Sequence, residues 1–248
     1  MEITGVAIIV AIVALCLGGF AKGISGMGLP VIATPILTLL YDLQTAIALV
    51  VPATLVMDVI FLYRIPKNWG MIKHAIVLII FGMLGTVLGT FLLVHINQLI
   101  LSGVLSILIF AYIVTSLFSL LPPLKQRTWL DATVGLAGGI FQGSAGACGP
   151  VISMYLLQIP ISRQDFLFLI NSFFLFIDII QLVTIYQLGF YAEDTKIYAL
   201  IALIPALFGL VVAFRLQNRI SNQLFRLSVF VIMAISAVML FVKSLQFF

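Results

Sequence analysis

The chain has 248 residues, of which 63% are hydrophobic and only 8% are charged, and it carries a formal net charge of +4. A soluble domain is about half apolar and about a quarter charged, so this composition excludes a soluble protein and indicates an integral membrane protein. The small positive charge does not indicate nucleic-acid binding, and two cysteines provide neither a disulfide framework nor a metal-ligand pattern.

Long apolar runs recur along the whole chain, as expected for membrane-spanning helices and not for the alternating strands of a β-barrel. The first run, residues 3–20, has no basic segment before it, so we expect it to be retained and not cleaved as a signal peptide. A glycine-rich interruption follows, and Pro30 is predicted to restart a helix that ends near residue 40. The other helices of this half are predicted at residues 45–63, 72–94 and 99–121.

The second half repeats this order of elements after a basic linker. Its helices are predicted at residues 129–141, 150–158, 166–188, 197–214 and 223–245. The sequence therefore predicts a first repeat at residues 1–121, a cytoplasmic linker at 122–129 and a second repeat at 130–248.

The glycine-rich interruption is the feature that the two halves share most clearly. Residues 18–35 read GGFAKGISGMGLPVIATP, and residues 138–155 read GGIFQGSAGACGPVISMY, with seven identities and no gap. A membrane tolerates such a break only where the freed backbone groups line a cavity or are buried in protein. Paired breaks at corresponding places in two halves predict the binding site of a transporter.

The basic residues predict the orientation of the repeats, because cytoplasmic loops carry an excess of Lys and Arg. If the regions 64–74, 122–128, 163 and 215–226 are placed inside, nine of the twelve basic residues lie on the cytoplasmic side: Arg64, Lys67, Lys73, Lys125, Arg127, Arg163, Arg215, Arg219 and Arg226. The loop near Arg64 is then inside, whereas its counterpart at Glu193 lies outside with both termini. The predicted fold is all-α and polytopic, with two inverted repeats. Each repeat is a glycine-broken helical hairpin plus three transmembrane helices, and the second hairpin is expected to be re-entrant.

The glycine-rich breaks are also the candidate substrate site. Helices that restart at Pro30 and Pro150 would present unpaired N–H groups and the positive end of a dipole, which suits an anion. The alternative is that the glycines only permit close helix packing. The predicted substrate-binding residues are Lys22, Gly23, Gly26, Gly28, Pro30, Gln142, Gly143, Gly146, Cys148, Gly149 and Pro150.

Polar residues within the apolar runs could add to this site. Lys22, predicted to lie in the first loop, could neutralise a bound anion, snorkel to the surface or pair with Asp58. Asp58 and Asp178 could carry protons, although Asp58 could also be solvated near its helix end. Thr54, Asn171 and Ser172 could line a path or hydrogen-bond across helices. Cys148 is interpreted as a packing residue more readily than as a reactive thiol, and His74 and His95 as interfacial.

The pattern GxxxxGxxGxGxP resembles the signature of the TauE/SafE sulfite exporter family. It is seen here in LGGFAKGISGMGLPVIATPIL and, with Cys148 in place of the fourth glycine, in AGGIFQGSAGACGPVISMYLL. The size, the two-fold repeat and the eight apolar segments are similar as well. The resemblance implies a bacterial cytoplasmic membrane protein that moves sulfite, sulfonates or related anions. It also implies that the glycine and proline positions of the two motifs contact that anion.

The sequence thus leads to the hypothesis of a secondary transporter for a small anion, working by alternating access, with protons or sodium as the coupling ion. No cofactor and no metal are expected. A passive anion channel is the nearer alternative. A membrane-embedded enzyme is the more distant one, since HExxH, GxSxG and GxxxxGK[ST] motifs are absent and Asp58 and Asp178 are its only paired acids. The sequence does not indicate the direction of transport or the oligomeric state.

Overall fold

The computed structural model describes residues 5–41, 43–66, 68–95, 124–125, 127–146, 148–191, 193–217 and 219–245, with isolated positions between 103 and 114. Most of the helix predicted at 99–121 and part of the predicted linker lie outside the described residues. So do the side chains of His74 and His95. The helices are α1 Gly5–Ser25, α2 Gly28–Leu40, α3 Leu43–Arg64, α4 Trp69–His95, α5 Thr128–Ala145, α6 Gly149–Gln158, α7 Arg163–Gln187, α8 Glu193–Gln217 and α9 Asn222–Leu245.

The described part of the chain is helical and contains no strand, which confirms an all-α polytopic membrane protein. Six of its helices, α1, α3, α4, α7, α8 and α9, are long and apolar enough to cross a membrane. By contrast, α2 has 13 residues and α6 has 10. At about 1.5 Å per residue these two helices cover roughly 20 and 15 Å, less than the roughly 30 Å of a bilayer core.

The breaks after α1 and α5 are shorter than the sequence suggested. The first helix was predicted to end at residue 20, but it continues to Ser25, where Gly26 adopts a left-handed φ of 84°. Likewise α5 continues to Ala145 and ends at Gly146, whose φ is 64°. A helix satisfies its own backbone groups, so in an apolar setting it continues until a residue with positive φ stops it. The prediction that Lys22 lies in a loop is therefore wrong, because it lies in the last turn of α1.

Two glycine-lined helix pairs hold the hairpins in place. In the first pair α4 and α5 run parallel, with Gly135 beside Leu78, Gly139 beside Gly82 and Gly143 beside Thr86. A Cβ atom at Gly139 would overlap the Gly82 carbonyl oxygen, so the backbones can approach this closely only because that atom is missing. Gly82, Gly85 and Gly89 of α4 contribute to this interface, and Gly82 also contacts Phe173 of α7.

The second pair, α1 and α8, repeats this geometry. These helices also run parallel, with Gly19 beside Ala206 and Gly23 beside Ala213. Each broken helix therefore packs against the fourth helix of the other half of the chain.

Contacts between α3 and α7 fix the relative direction of the two halves. Asn68, just after α3, donates to Asp165 at the start of α7 over 2.9 Å. At the other end, the Tyr191 hydroxyl, just after α7, donates to the Ala48 carbonyl near the start of α3 over 2.9 Å. These helices are thus antiparallel. Because α1 parallels α8 and α4 parallels α5, corresponding helices of the two halves point in opposite directions, as inverted units require. The exact boundaries of the repeats stay a prediction.

Candidate functional site

The two breaks meet in the interior of the bundle. Met27, which precedes α2, contacts Gly149, the first residue of α6, and Val31 of α2 contacts the same glycine. The Ser153 hydroxyl of α6 donates to the Met27 sulfur over 2.8 Å. All four of these residues are buried. The hairpins, which come from opposite ends of the bundle, therefore touch at their tips.

A buried polar side chain lies beside each glycine that ends a helix. Asn171 of α7 packs against Gly26, and Thr34 of α2 packs against Gly146. The Oδ1 atom of Asn171 and the Oγ1 atom of Thr34 have no hydrogen-bond partner among the described residues. Both side chains are at least 97% buried, since their exposures are 0% and 3%. A buried polar atom without a partner costs free energy and is available to a ligand.

The starts of α2 and α6 are polarised toward the same region. Their N-cap residues, Met27 and Cys148, provide no side-chain cap to the first turn in the described structure. Proline lies early in both helices, at Pro30 and Pro150, so the first-turn donors are the amides of the neighbouring residues. Uncapped N–H groups and the positive ends of two helix dipoles together favour a negative ligand.

Lys22 and Asp58 form a fully buried ion pair beside the first tip. Their Nζ and Oδ1 atoms are 2.7 Å apart, and neither side chain is exposed. The Nζ atom also lies 4.6 Å from the centre of the Phe174 ring on α7, within cation–π range. Of the three possibilities that the sequence left open for Lys22, pairing with Asp58 is the one present in this structure.

The second half repeats this contact with a neutral amide in place of the ammonium group. Gln142, which is 120 residues after Lys22, donates from Nε2 to Oδ1 of Asp178 over 3.0 Å, and Asp178 is 120 residues after Asp58. The same nitrogen donates to Oε1 of Gln181 over 3.0 Å, and Gln181 donates back to the Gln142 carbonyl over 3.2 Å. The Gln142 side-chain oxygen accepts from the Cys148 amide over 3.4 Å. Gln142 therefore links Asp178 to the start of α6.

These groups form one electrostatic cluster. Asp178 interacts with both Asp58 and Lys22, and Cys148 is within range of all three. Two acids thus share this cluster with a single cation among the described residues. The corresponding positions differ in the partner of each acid: Asp58 faces an ammonium group, and Asp178 faces an amide.

Not every predicted residue lines this region. Gly23 and Gly143 face α8 and α4 respectively, so the packing alternative describes these two glycines. Gly28 faces Ala21 and allows α2 to fold back closely on α1. The Thr54 hydroxyl donates to the Val50 carbonyl of its own helix over 3.0 Å. Ser172 is buried next to Asn171.

Sequence reasoning missed Thr34, Phe174 and Gln181. Gln181 had a usable signal, because an amide one helical turn after a buried acid shares its face. Thr34 and Phe174 had none, since a threonine and a phenylalanine are ordinary in apolar helices.

A cavity leads from the surface toward this cluster. It has a volume of about 650 Å³ and opens where α3 and α8 end and α7 begins; we call this end of the bundle the basic face. Arg64 and Arg163 line it, and Arg163 also donates to the Ile220 carbonyl in the turn after α8 over 2.8 Å. The segments around Arg64 and Arg163 and the turn after α8 are all predicted from the sequence to lie inside.

An aromatic pair closes the inner end of this cavity. The Phe61 and Phe214 rings meet edge to face with centroids 5.1 Å apart, and the Arg64 guanidinium lies 4.4 Å from the Phe214 ring centre. Asp58 lies one turn deeper on α3 than Phe61. Leu167, which also lines the cavity, contacts Gly26. The cavity therefore stops one layer of side chains short of the first tip.

Comparison with known proteins agrees with this architecture. A family model described as "Sulfite exporter TauE/SafE" matches residues 10–240, a region that contains both glycine-broken hairpins. No curated protein and no solved structure matches the chain. The family resemblance inferred from the two motifs is thereby confirmed.

Proposed function

Because the chain belongs to the sulfite exporter TauE/SafE family, we propose that it is a secondary transporter for a small sulfur-containing anion. The substrate class is a sulfur oxyanion or organosulfonate, such as sulfite, thiosulfate or sulfoacetate. Membership of the family makes the chain a multi-pass membrane transporter of the sulfite exporter type. The choice of anion, its binding site and the transport cycle are our proposals.

The meeting of the two hairpin tips is the observation that carries the proposal. An anion placed between Gly26 and Gly149 would lie at the uncapped starts of both α2 and α6. The Thr34 hydroxyl could donate to it, and Asn171 could do so through its amide group. The Lys22 ammonium lies within the same cluster. In a low-dielectric interior such preorganised donors act more strongly on an anion than they would in water.

The symmetry of this site supports a transport cycle by alternating access. Each hairpin packs against a helix of the other half through small residues, so a hairpin and its partner helix can move as one body. In the state described here the anion region is closed from the basic face by Phe61 and Phe214. We propose that this face is cytoplasmic, that both termini are outside, and that the protein resides in a bacterial inner membrane.

Binding to the purified protein tests the substrate class first. Sulfite, thiosulfate, sulfoacetate and sulfate would be compared by thermal shift at matched ionic strength. A ligand at 100 times its dissociation constant stabilises a protein by about 2.7 kcal/mol. We expect one sulfur anion to raise the melting temperature and Gly146→Val to remove that shift. An equal response to all four anions, or to none, would contradict a specific site.

Flux in proteoliposomes then separates a transporter from a channel. A transporter gives saturable uptake that unlabelled anion on the opposite side accelerates. A passive channel gives current that grows linearly with voltage and shows no such acceleration. The second result would replace our proposal with the channel alternative.

A further inference from the structure

We propose that Asp178 is the proton-carrying group of this transporter and that one proton crosses the membrane together with each anion. This inference rests on the proposed function, and it assigns the coupling ion. It starts from the unequal surroundings of two acids at corresponding positions. Asp58 has the Lys22 ammonium 2.7 Å away, whereas among the described residues Asp178 has only the neutral Gln142 amide, 3.0 Å away.

One neutral donor cannot compensate a carboxylate in this setting. Asp178 has no solvent exposure, and its Oδ2 atom has no hydrogen-bond partner among the described residues. A buried charge without a partner costs more free energy than a neutral carboxyl group that lacks one hydrogen bond. The group is therefore best accommodated with a proton on Oδ2 while Oδ1 accepts from Gln142.

Other ionisable groups near Asp178 reinforce this assignment. Lys22 on α1, Asp58 on α3 and Cys148 before α6 are those within electrostatic range. Lys22 is already paired with Asp58, so a second carboxylate would give the cluster an uncompensated negative charge. Helix α4 approaches this part of α7 at Gly82, which contacts the apolar residues Phe173 and Ile177. This contact brings no charged group to Asp178.

The protonated form also explains how the proton and the anion depend on each other. An O–H group at Oδ2 has no acceptor among the described residues, so a bound anion would provide one. The ionised form would instead repel that anion. Protonation then raises anion affinity, and by linkage the anion raises proton affinity to the same extent. The proton comes from water on one side, stays on Oδ2 during the crossing and returns to water on the other side.

A proton fits this site better than a sodium ion does. The group that faces Asp178 is the N–H end of the Gln142 amide, held there by its second bond to Gln181. A metal cation needs several oxygen ligands, and an amide N–H pointing at the carboxyl group occupies one of those directions. Gln142 is therefore oriented to support a carboxyl group and not a cation.

Infrared spectroscopy of the purified protein tests the proton without any substrate. We expect a carbonyl band of a protonated carboxyl group near neutral pH in the wild type. The band should persist in the double variant Lys22→Gln/Asp58→Asn, which removes both charges of the ion pair, and disappear in Asp178→Asn, and Asp178→Glu should restore it at a shifted frequency. Absence of the band in the wild type, or its survival in Asp178→Asn, would overturn the assignment whether or not the protein transports sulfur anions.

Transport of radiolabelled thiosulfate tests the coupling. Thiosulfate stays fully ionised across the neutral range, so a change of pH acts on the protein. With the membrane potential clamped at zero, cotransport of one proton drives accumulation of up to about tenfold per pH unit. We expect accumulation on the alkaline side, its loss in Asp178→Asn, its retention in Asp178→Glu and no response to a sodium gradient. Accumulation driven by sodium, or gradient-driven uptake by Asp178→Asn, would overturn the proposal.

The infrared and transport experiments distinguish failure of the proton assignment from failure of the proposed substrate. If thiosulfate does not cross in any variant, the proposed substrate is wrong for this anion, and the infrared result alone decides whether Asp178 holds a proton. A band that is specific to Asp178 would then still support the proton-carrying site.

Discussion

The Nζ atom of Lys22 lies 2.7 Å from the Oδ1 atom of Asp58, and neither side chain has any exposure to solvent. Each charge therefore depends on the other, because water cannot replace a missing partner. The Phe174 ring contacts the ammonium group from a third helix. This pair joins α1 to α3 at the depth of the first hairpin tip, so it is a part of the fold as well as a part of the proposed site.

Removal of one partner should destabilise the protein more than removal of both. We expect Lys22→Gln alone to lower stability by about 3–5 kcal/mol, because the buried Asp58 carboxyl group loses the ammonium group that compensates it. The double variant Lys22→Gln/Asp58→Asn should recover most of that loss, since it copies the amide chemistry of Gln142. Thermal melts in detergent would measure the coupling. Equal melting temperatures for the wild type and the single variant would show that the pair does not stabilise the fold.

Replacement of the left-handed glycine at the second tip by a β-branched residue should abolish transport. Gly146 has a φ of 64° and packs against Thr34. Valine there should strain the backbone by about 1–3 kcal/mol and fill the proposed anion site. Gly189, with a φ of 77° and open space around it, is the matched control. Both valine variants should lose similar stability, but only Gly146→Val should abolish anion uptake. Normal uptake by folded Gly146→Val would place the site elsewhere.

The contact between α4 and α5 should depend on the absence of one side chain. Gly139→Val would drive a branched side chain into the backbone of α4 at Gly82. We expect poor yield and a lower melting temperature in detergent, whereas Gly5→Val, at a position with nothing within 4 Å, should behave like the wild type. Equal stability of these two variants would mean that α4 and α5 can separate at little cost.

These residues also show what the sequence could predict. Periodic small residues such as Gly82 and Gly85 identify a close helix contact, and the repeat itself predicts which helices correspond. The predicted break after α1 was longer than the observed one, because glycine lowers helix propensity. Packing against α8 nevertheless keeps residues Gly18 to Gly23 helical. The partner of Lys22 remained open because Asp58 is distant in sequence. No sequence pattern predicts the contact between Phe61 and Phe214, because it depends on how α3 and α8 pack against each other.

Cys148 offers a direct test of alternating access, because it precedes α6 and is fully buried. In a Cys16→Ser background it is the only thiol, so a membrane-impermeant thiol reagent reports when this tip becomes accessible. In this background we expect slow labelling from either side of the membrane, and protection when the transported anion is present. A channel would be labelled from both sides at once, and the anion would not protect the thiol.

Truncation of the aromatic pair should open the route from the basic face. Phe61→Ala removes the ring that meets Phe214 between the 650 Å³ cavity and Asp58. Labelling of Cys148 from that face should become at least severalfold faster, while labelling from the other face should change little. Phe81→Ala, at a phenylalanine that is 37% exposed on the outer surface of α4, removes a ring of the same size and should leave both rates unchanged. If the two variants accelerate labelling equally, general loosening of the bundle explains the effect. If neither does, the cavity does not lead to the second tip, and the anion must reach it by another route.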